Sequence, residues 1–131
     1  MVLVVTPLYA GLLGFLFTVL SLRVIRARRR SGVPLGDGGD AALLRRRRVQ
    51  ANFAEYVPFC LLLMALAEQQ GLTTWALHSL GLALLAGRLA HAAGVSRDPE
   101  PYQFRVAGMT LTFSVLFAAA VANLLLVTSV W

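Results

Sequence analysis

Four apolar stretches, each long enough to cross a bilayer as a helix, account for most of the chain. The first is uncharged from Val2 to Leu22, the last is uncharged from Val106 to Trp131, and a few polar side chains interrupt the two between them. A membrane-spanning helix needs about 20 mostly apolar residues. The pattern predicts spans at about 2–26, 47–69, 75–95 and 105–130. We therefore expect an all-α, integral-membrane four-helix bundle that forms a single domain over residues 1–131.

The composition also favours a membrane protein. The 131 residues are 58% hydrophobic and only 14% charged, with a mean hydropathy of +0.72. Soluble domains carry about 25% charged residues, and disordered chains combine low hydrophobicity with high net charge, so both classes are excluded. The net charge is +6, every basic residue is an arginine, and nine of the twelve arginines lie between Arg23 and Arg48. The positive charge is therefore concentrated around the connection between the first two spans.

The arginines predict the orientation of the spans. The first and third connections carry arginines, whereas the second connection and both termini carry none. Basic loops stay in the cytoplasm, so both termini should lie on the opposite side of the membrane. The arginine-rich connection is either a topology signal that contacts anionic lipid head groups or, in addition, a source of ligand-binding side chains. No aromatic-rich basic surface accompanies it, so we expect membrane lipids and no nucleic acid among the partners.

A polar stripe lies along the second span. Four residues spaced at i, i+4, i+7 and i+8 share one side of an otherwise apolar helix: Arg48, Asn52, Glu55 and Tyr56. One interpretation is that they only join helices through hydrogen bonds, but that role does not require a carboxylate beside arginines. Arginine binds carboxylates through two parallel hydrogen bonds, and Glu55 can bind an ammonium group. The stripe therefore favours a small ligand that carries both kinds of group.

Two charged residues in different spans are predicted to lie at similar depth. Glu55 follows Arg48 by about 10 Å of helix, and Arg88 lies about 20 Å past Trp75 from the other face. In a hydrocarbon core about 30 Å thick these two levels coincide. We therefore expect Glu55 and Arg88 to compensate each other, within one subunit or between subunits. His91 lies close to the face of Arg88, and without a second histidine or a cysteine nearby it indicates no metal site.

Small residues recur at four-residue spacing in the later spans, as in the pairs Ala83/Gly87 and Gly108/Thr112. This spacing lets neighbouring helices approach each other closely. Because four short helices bury little surface on their own, we expect a tightly packed bundle that assembles into an oligomer.

Several motifs resemble those of the MAPEG family, the membrane-associated proteins of eicosanoid and glutathione metabolism. The pattern Arg48-x-Gln50-x-Asn52-x-x-Glu55-Tyr56-x-Pro58 resembles the signature of the family's second helix. The patterns Gly87-Arg88-x-x-His91 and Arg105-x-x-Gly108-Met109-Thr110 are similar to its third and fourth helices. The Gly36-Asp37-Gly38-Gly39 connection resembles small bacterial inner-membrane members. The resemblance covers nearly the whole chain.

The resemblance implies a homotrimer in the bacterial inner membrane, with glutathione bound as co-substrate between neighbouring subunits near the cytoplasmic face. It makes Arg105 the catalytic residue, because a guanidinium favours the thiolate form of glutathione, which is the nucleophile. At the positions of two ligand-contacting tyrosines of eukaryotic relatives, this sequence has Val95 and Met109. The residues that the resemblance places in contact with glutathione are Arg28, Arg48, Gln50, Asn52, Glu55 and Tyr56. We also expect Arg88, at the depth of Glu55, and His91, beside Arg88, to belong to the binding site.

The implied activity is that of a glutathione transferase or peroxidase acting on a lipophilic small molecule that enters from the bilayer. Two other functions stay open. A small proton-coupled transporter also has four spans and one intramembrane glutamate, although such proteins generally carry that glutamate in the first span, which is uncharged here. The other is a non-catalytic membrane protein that binds lipid or a partner through the arginine-rich connection.

Overall fold

The computed structural model describes residues 2–128 of the chain. These residues fold into four α-helices joined by short connections, with no strand among them. Helix α1 spans Val5–Ser31, α2 spans Ala41–Gln69, α3 spans Thr74–Val95 and α4 spans Tyr102–Thr128. The predicted all-α, four-helix fold is confirmed. The end of the predicted fourth span, at residue 130, lies outside the described residues.

Successive helices run in opposite directions. The backbone of Val4, just before α1, donates to Glu68 near the end of α2, and the Phe17 ring stacks on Phe53 at a centroid distance of 5.3 Å. Helices α3 and α4 are also antiparallel, because the end of α3 packs on the start of α4. The end of α1 and the starts of α2 and α4 therefore lie together. All arginines except Arg88 are at this end of the bundle.

Glycines let α3 and α4 approach each other closely. A Cβ atom at Gly108 would lie 2.6 Å from both the Gly87 carbonyl oxygen and the His91 backbone nitrogen. A Cβ atom at Gly94 would lie 2.9 Å from the backbone nitrogen of Arg105. Larger residues would force the two helices apart, so the close packing predicted from the small residues is confirmed here. The contact holds His91 beside the start of α4.

Both helices next to the first connection continue beyond the predicted spans. Helix α1 extends to Ser31 because three arginines in its last turn complement the negative end of the helix dipole, and Gly32, at φ 67°, ends it. Helix α2 begins at Ala41 because the Asp40 carboxylate accepts hydrogen bonds from two backbone N–H groups of its first turn, at 2.9 and 3.1 Å. The arginine-rich segments are therefore helical rather than loop.

Helices α1, α2 and α4 are long and apolar enough to cross a bilayer. The most apolar 18-residue stretch of α3 is less apolar than those of the other three helices, because Arg88 and two histidines interrupt it, although its 22 residues extend about 33 Å. Nine residues of α3 are buried, more than in any of the three longer helices, and they include Arg88 and His91, which the rest of the bundle therefore shields. A fourth membrane crossing by α3 stays a prediction.

Candidate functional site

A cleft of about 520 Å³ opens at the arginine-rich end of the bundle. The first half of α2 lines one side, and the end of α3, the connection from α3 to α4 and the start of α4 line the other. Its apolar lining consists of Ala41, Leu44, Ala51 and Val95. Its polar lining consists of Arg45, Arg48, Asn52, Glu55, His91, Glu100 and Arg105.

Five residues predicted from the sequence meet at this cleft. Helix α2 presents Arg48, Asn52 and Glu55 from successive turns. His91 and Arg105 line the same space from α3 and α4. The helical periodicity of the polar stripe and the close approach of α3 to α4 together explain why these five side chains converge.

Arg88 is buried behind the cleft and does not line it. The residue is 1% exposed, its Nη2 donates to Asn52 Oδ1 at 2.7 Å, and its Nη1 donates to Thr112 Oγ1 at 3.2 Å. The predicted ion pair with Glu55 is wrong within the subunit, since no carboxylate oxygen of residues 2–128 lies within 4 Å of this guanidinium. Its two terminal nitrogens are directed at neutral acceptors instead, and its buried Nε has no hydrogen-bond partner among residues 2–128. Compensation of the two charges between subunits stays a prediction.

Three further residues that were predicted to contact glutathione lie outside this cleft. Arg28 donates to two backbone carbonyl groups of the first connection, at 3.0 and 3.2 Å. Gln50 faces α1, where its Nε2 donates to Ser21 Oγ at 3.0 Å. The Tyr56 ring packs edge-on against Phe113 of α4, with centroids 5.3 Å apart. Within one subunit, these side chains stabilise the first connection and the packing of α2.

Glu55 differs from the other acidic residues in what surrounds its carboxylate. Of the six Asp and Glu residues, it alone has no hydrogen-bond or ion-pair partner among residues 2–128. It nevertheless lines the cleft together with three arginines. A carboxylate in such a position is available to a cationic group of a ligand. The five acidic residues that have partners are Asp37, Asp40, Glu68, Asp98 and Glu100.

Two polar residues of the cleft, Arg45 and Glu100, were not predicted. Glu100 Oε2 lies 3.3 Å from Arg45 Nη1, and Glu100 Oε1 lies 3.5 Å from Arg105 Nη1. Arg45 precedes Arg48 by three residues and therefore lies on the same helix face as the polar stripe. Extending the helical spacing by one turn would have predicted Arg45 as a site residue. Glu100 lies between two prolines in the irregular connection from α3 to α4, where no periodicity indicates the direction of a side chain.

His91 lines the cleft and also has a buried nitrogen atom without a partner in the described part of the chain. The residue is 4% exposed, and its Nδ1 has no hydrogen-bond partner among residues 2–128. Leaving a buried polar atom unpaired costs about 1–3 kcal/mol. The rest of the imidazole borders the cleft, so His91 can contact a ligand there.

The charges of the cleft suit a ligand with more negative than positive groups. Its lining carries three arginines against two carboxylates. The guanidinium of Arg88 adds a positive charge directly behind Asn52. Arginine pairs well with carboxylates, and a partly enclosed site strengthens such interactions relative to bulk water.

Comparison with known proteins identifies the family. The model of the MAPEG family matches residues 6–125, from the first turn of α1 to the last turn of α4. This chain belongs to the MAPEG family. The inner membrane protein YecN of Escherichia coli strain K12 is 38% identical over 120 residues, which cover 92% of this chain and 90% of that protein. YecN of Escherichia coli O6:H1 is similar to the same extent, at 38% identity over 120 residues.

Two positions of this MAPEG protein hold apolar residues where the resemblance places ligand-contacting tyrosines. Val95 lines the cleft, and the Met109 sulfur lies 3.9 Å from Nη1 of Arg88. Neither residue supplies a hydroxyl group. Polar contacts to a ligand on this side of the cleft are therefore left to His91 and Arg105.

Proposed function

We propose that this MAPEG protein binds glutathione in the cleft and uses the glutathione thiolate to attack a lipophilic substrate. The observation that carries the proposal is Glu55, an acidic side chain without a partner among residues 2–128 that lines one cleft with three arginines. Glutathione has two carboxylates, one ammonium group and one thiol. The cleft offers a complementary group for each of them.

The charges of glutathione and of the cleft suggest which side chain binds which group of the ligand. Arg45 and Arg48 bind the carboxylates of glutathione, and Glu55 binds its ammonium group. Asn52 offers its amide group to the peptide backbone of glutathione, and its orientation is fixed by the hydrogen bond from Arg88. These contacts hold the peptide along α2, so that its thiol points across the cleft towards α4.

Arg105 is the residue assigned to the chemical step. Its guanidinium stabilises the thiolate, which is the reactive form of the thiol. In conjugation, the sulfur forms a bond to an electrophilic carbon, the leaving group departs with the bonding electrons, and the thiol proton passes to solvent. In peroxide reduction, two glutathione molecules supply two electrons and two protons, giving a disulfide, an alcohol and water.

We place the protein in the inner membrane as a homotrimer, with both termini on the side away from the cytoplasm. Three apolar helices of sufficient length and the name of the similar Escherichia coli protein support the location. The concentration of arginines at one end of the bundle supports a cytoplasmic position for the cleft. Lipophilic substrates dissolved in the bilayer would then reach the cleft from its membrane side.

Glutathione titration of the purified protein in detergent micelles tests the binding step. We expect saturable heat for the wild type, and at least a tenfold weaker affinity for Glu55→Gln, because the substitution removes a charge-assisted contact. An unchanged affinity in Glu55→Gln would contradict the assigned role. The absence of saturable heat in the wild type would favour a non-catalytic protein that binds lipid or a partner.

Conjugation of a chromogenic aryl halide to glutathione tests the chemical step. Arg105→Ala should lose turnover while keeping most of its glutathione affinity, since Arg105 acts on the sulfur. Arg97→Ala is the matched control, because this exposed arginine lies nearby but outside the cleft lining. Full turnover in Arg105→Ala, or no turnover by the wild type with a broad panel of electrophiles and peroxides, would contradict the proposed reaction.

A further inference from the structure

The connection between α3 and α4 places an acidic side chain of the protein itself against the arginines of the cleft. Glu100 lines the cleft, and its side chain is 20% exposed. Each of its two carboxylate oxygens contacts an arginine of a different helix. Oε2 lies 3.3 Å from Arg45 of α2, and Oε1 lies 3.5 Å from Arg105 of α4. A carboxylate between two guanidiniums is chemically the same arrangement that an anionic ligand would form there.

We infer that Glu100 competes with a carboxylate of the bound peptide for Arg45, that it restrains Arg105 until it is displaced, and that it thereby sets the affinity and charge selectivity of the cleft. The inference rests on the proposed function and names the ligand class, a thiol peptide with free carboxylates. A ligand carboxylate that binds Arg45 displaces Glu100 from it. The same displacement releases Arg105 from its acidic partner.

The contacts of Glu100 are weak enough to be exchanged. Optimal hydrogen bonds between a guanidinium and a carboxylate are about 2.7–2.9 Å long, whereas both Glu100 contacts are longer. Glu100 Oε1 has no hydrogen-bond partner among residues 2–128. By contrast, Glu68 accepts three hydrogen bonds of 2.7–2.8 Å from its position on α2. Glu100 lies on a short connection instead, and connections move more readily than packed helices.

The displacement couples recognition of the peptide to activation of its thiol. While Arg105 faces Glu100, the carboxylate partly neutralises the guanidinium that would stabilise a thiolate. Once a ligand carboxylate displaces Glu100, Arg105 is free to face the sulfur. A small thiol without a carboxylate does not cause this exchange, so the cleft discriminates against neutral thiols.

Titration calorimetry in detergent micelles tests the inference with two probes, glutathione and glutathione diethyl ester, in which both carboxylates are blocked. Glu100→Gln should bind glutathione on the order of 3- to 10-fold more tightly than the wild type, the range expected from removing two partly exposed ion pairs. It should show no gain for the diethyl ester. Asp98→Asn is the matched control, because Asp98 contacts Arg45 at 3.5 Å but is not part of the cleft lining.

The calorimetric results distinguish competition by Glu100 from direct ligand binding by Glu100. Unchanged or weaker glutathione binding by Glu100→Gln would overturn the inference and indicate that Glu100 holds the ligand. An equal gain for glutathione and its diethyl ester would also overturn it, since competition for carboxylate sites would not be involved. If neither protein binds glutathione although both stay folded, the proposed function fails, and the inference fails with it. Should Glu100→Gln not fold, Glu100→Asp serves instead, because its shorter side chain cannot reach both arginines.

Discussion

The Glu68 carboxylate caps the first turn of α1 from the end of α2. Its Oε1 accepts hydrogen bonds from the backbone N–H groups of Val4 and Val5, both at 2.7 Å, and its Oε2 accepts one from Thr6 at 2.8 Å. Val4, at the N-cap position, has no polar side chain with which to cap the helix. Val5 and Thr6 are buried, so water does not readily replace the carboxylate there. Glu68 therefore joins α1 to α2 in addition to capping α1.

These contacts allow an estimate of how much free energy of unfolding is lost when Glu68 is substituted. Loss of a capping side chain costs about 0.5–2 kcal/mol, and loss of a negative charge at a helix N-terminus costs about 0.3–1 kcal/mol more. Glu68→Gln keeps one acceptor oxygen but directs an amide N–H₂ group at a backbone donor, so we expect a loss of about 2 kcal/mol in the free energy of unfolding. Glu68→Ala leaves two buried N–H groups without any acceptor, and we expect a loss of about 3 kcal/mol.

Unfolding in detergent micelles by titration with a denaturing surfactant, followed by circular dichroism, measures this loss. Glu55→Gln is the matched control, because it removes a carboxylate from the same helix that has no partner among residues 2–128. We expect its free energy of unfolding to stay within about 0.5 kcal/mol of the wild type. If Glu68→Gln is as stable as the wild type, or if Glu55→Gln loses as much as Glu68→Gln, the capping role is refuted.

Two further substitutions test the packing around the cleft. Gly108→Ala places a Cβ atom 2.6 Å from the Gly87 carbonyl oxygen, so we expect a loss of about 2–3 kcal/mol in unfolding measurements. Gly11→Ala is its control and should be neutral or up to about 1 kcal/mol stabilising, since no atom lies within 4 Å of the added methyl group. Arg88→Lys loses the fork that holds Asn52, and we expect weaker glutathione binding in calorimetry, with a loss of about 1–3 kcal/mol in stability. Unchanged affinity in Arg88→Lys would contradict the orienting role of Arg88.

Much of the fold follows from the sequence because lipid allows few solutions. A stretch of about 20 apolar residues has to satisfy its backbone hydrogen bonds internally, so each long apolar run predicts a helix. The ends of the helices were harder to predict. The start of α2 at Ala41 depends on the Asp40 cap, and hydropathy shows only a basic, polar segment at that place. Arginine is a good helix former, so the basic segments continue the helices on both sides of the connection.

The polar stripe of α2 was predictable because helical periodicity relates Arg48, Asn52 and Glu55 to one another without any tertiary information. Tyr56 also belongs to the stripe by spacing, but in the structure its ring packs against α4. Glu100 was beyond prediction. Its position depends on how the connection from α3 to α4 folds across the end of the bundle, and a connection between two prolines has no repeating pattern from which that path can be inferred.

Arg88 contacts Asn52 rather than Glu55, and the choice has a physical reason. Asn52 and Glu55 lie on the same side of α2, one turn apart, so depth in the bilayer does not decide which of them Arg88 contacts. A buried pair with Glu55 would remove two charges from water, whereas the contact with Asn52 removes one. It also leaves the Glu55 carboxylate exposed in the cleft, with no partner among residues 2–128. The charge that the predicted ion pair would have neutralised is therefore available for a ligand ammonium group, while the buried guanidinium adds to the positive potential that attracts the ligand's carboxylates.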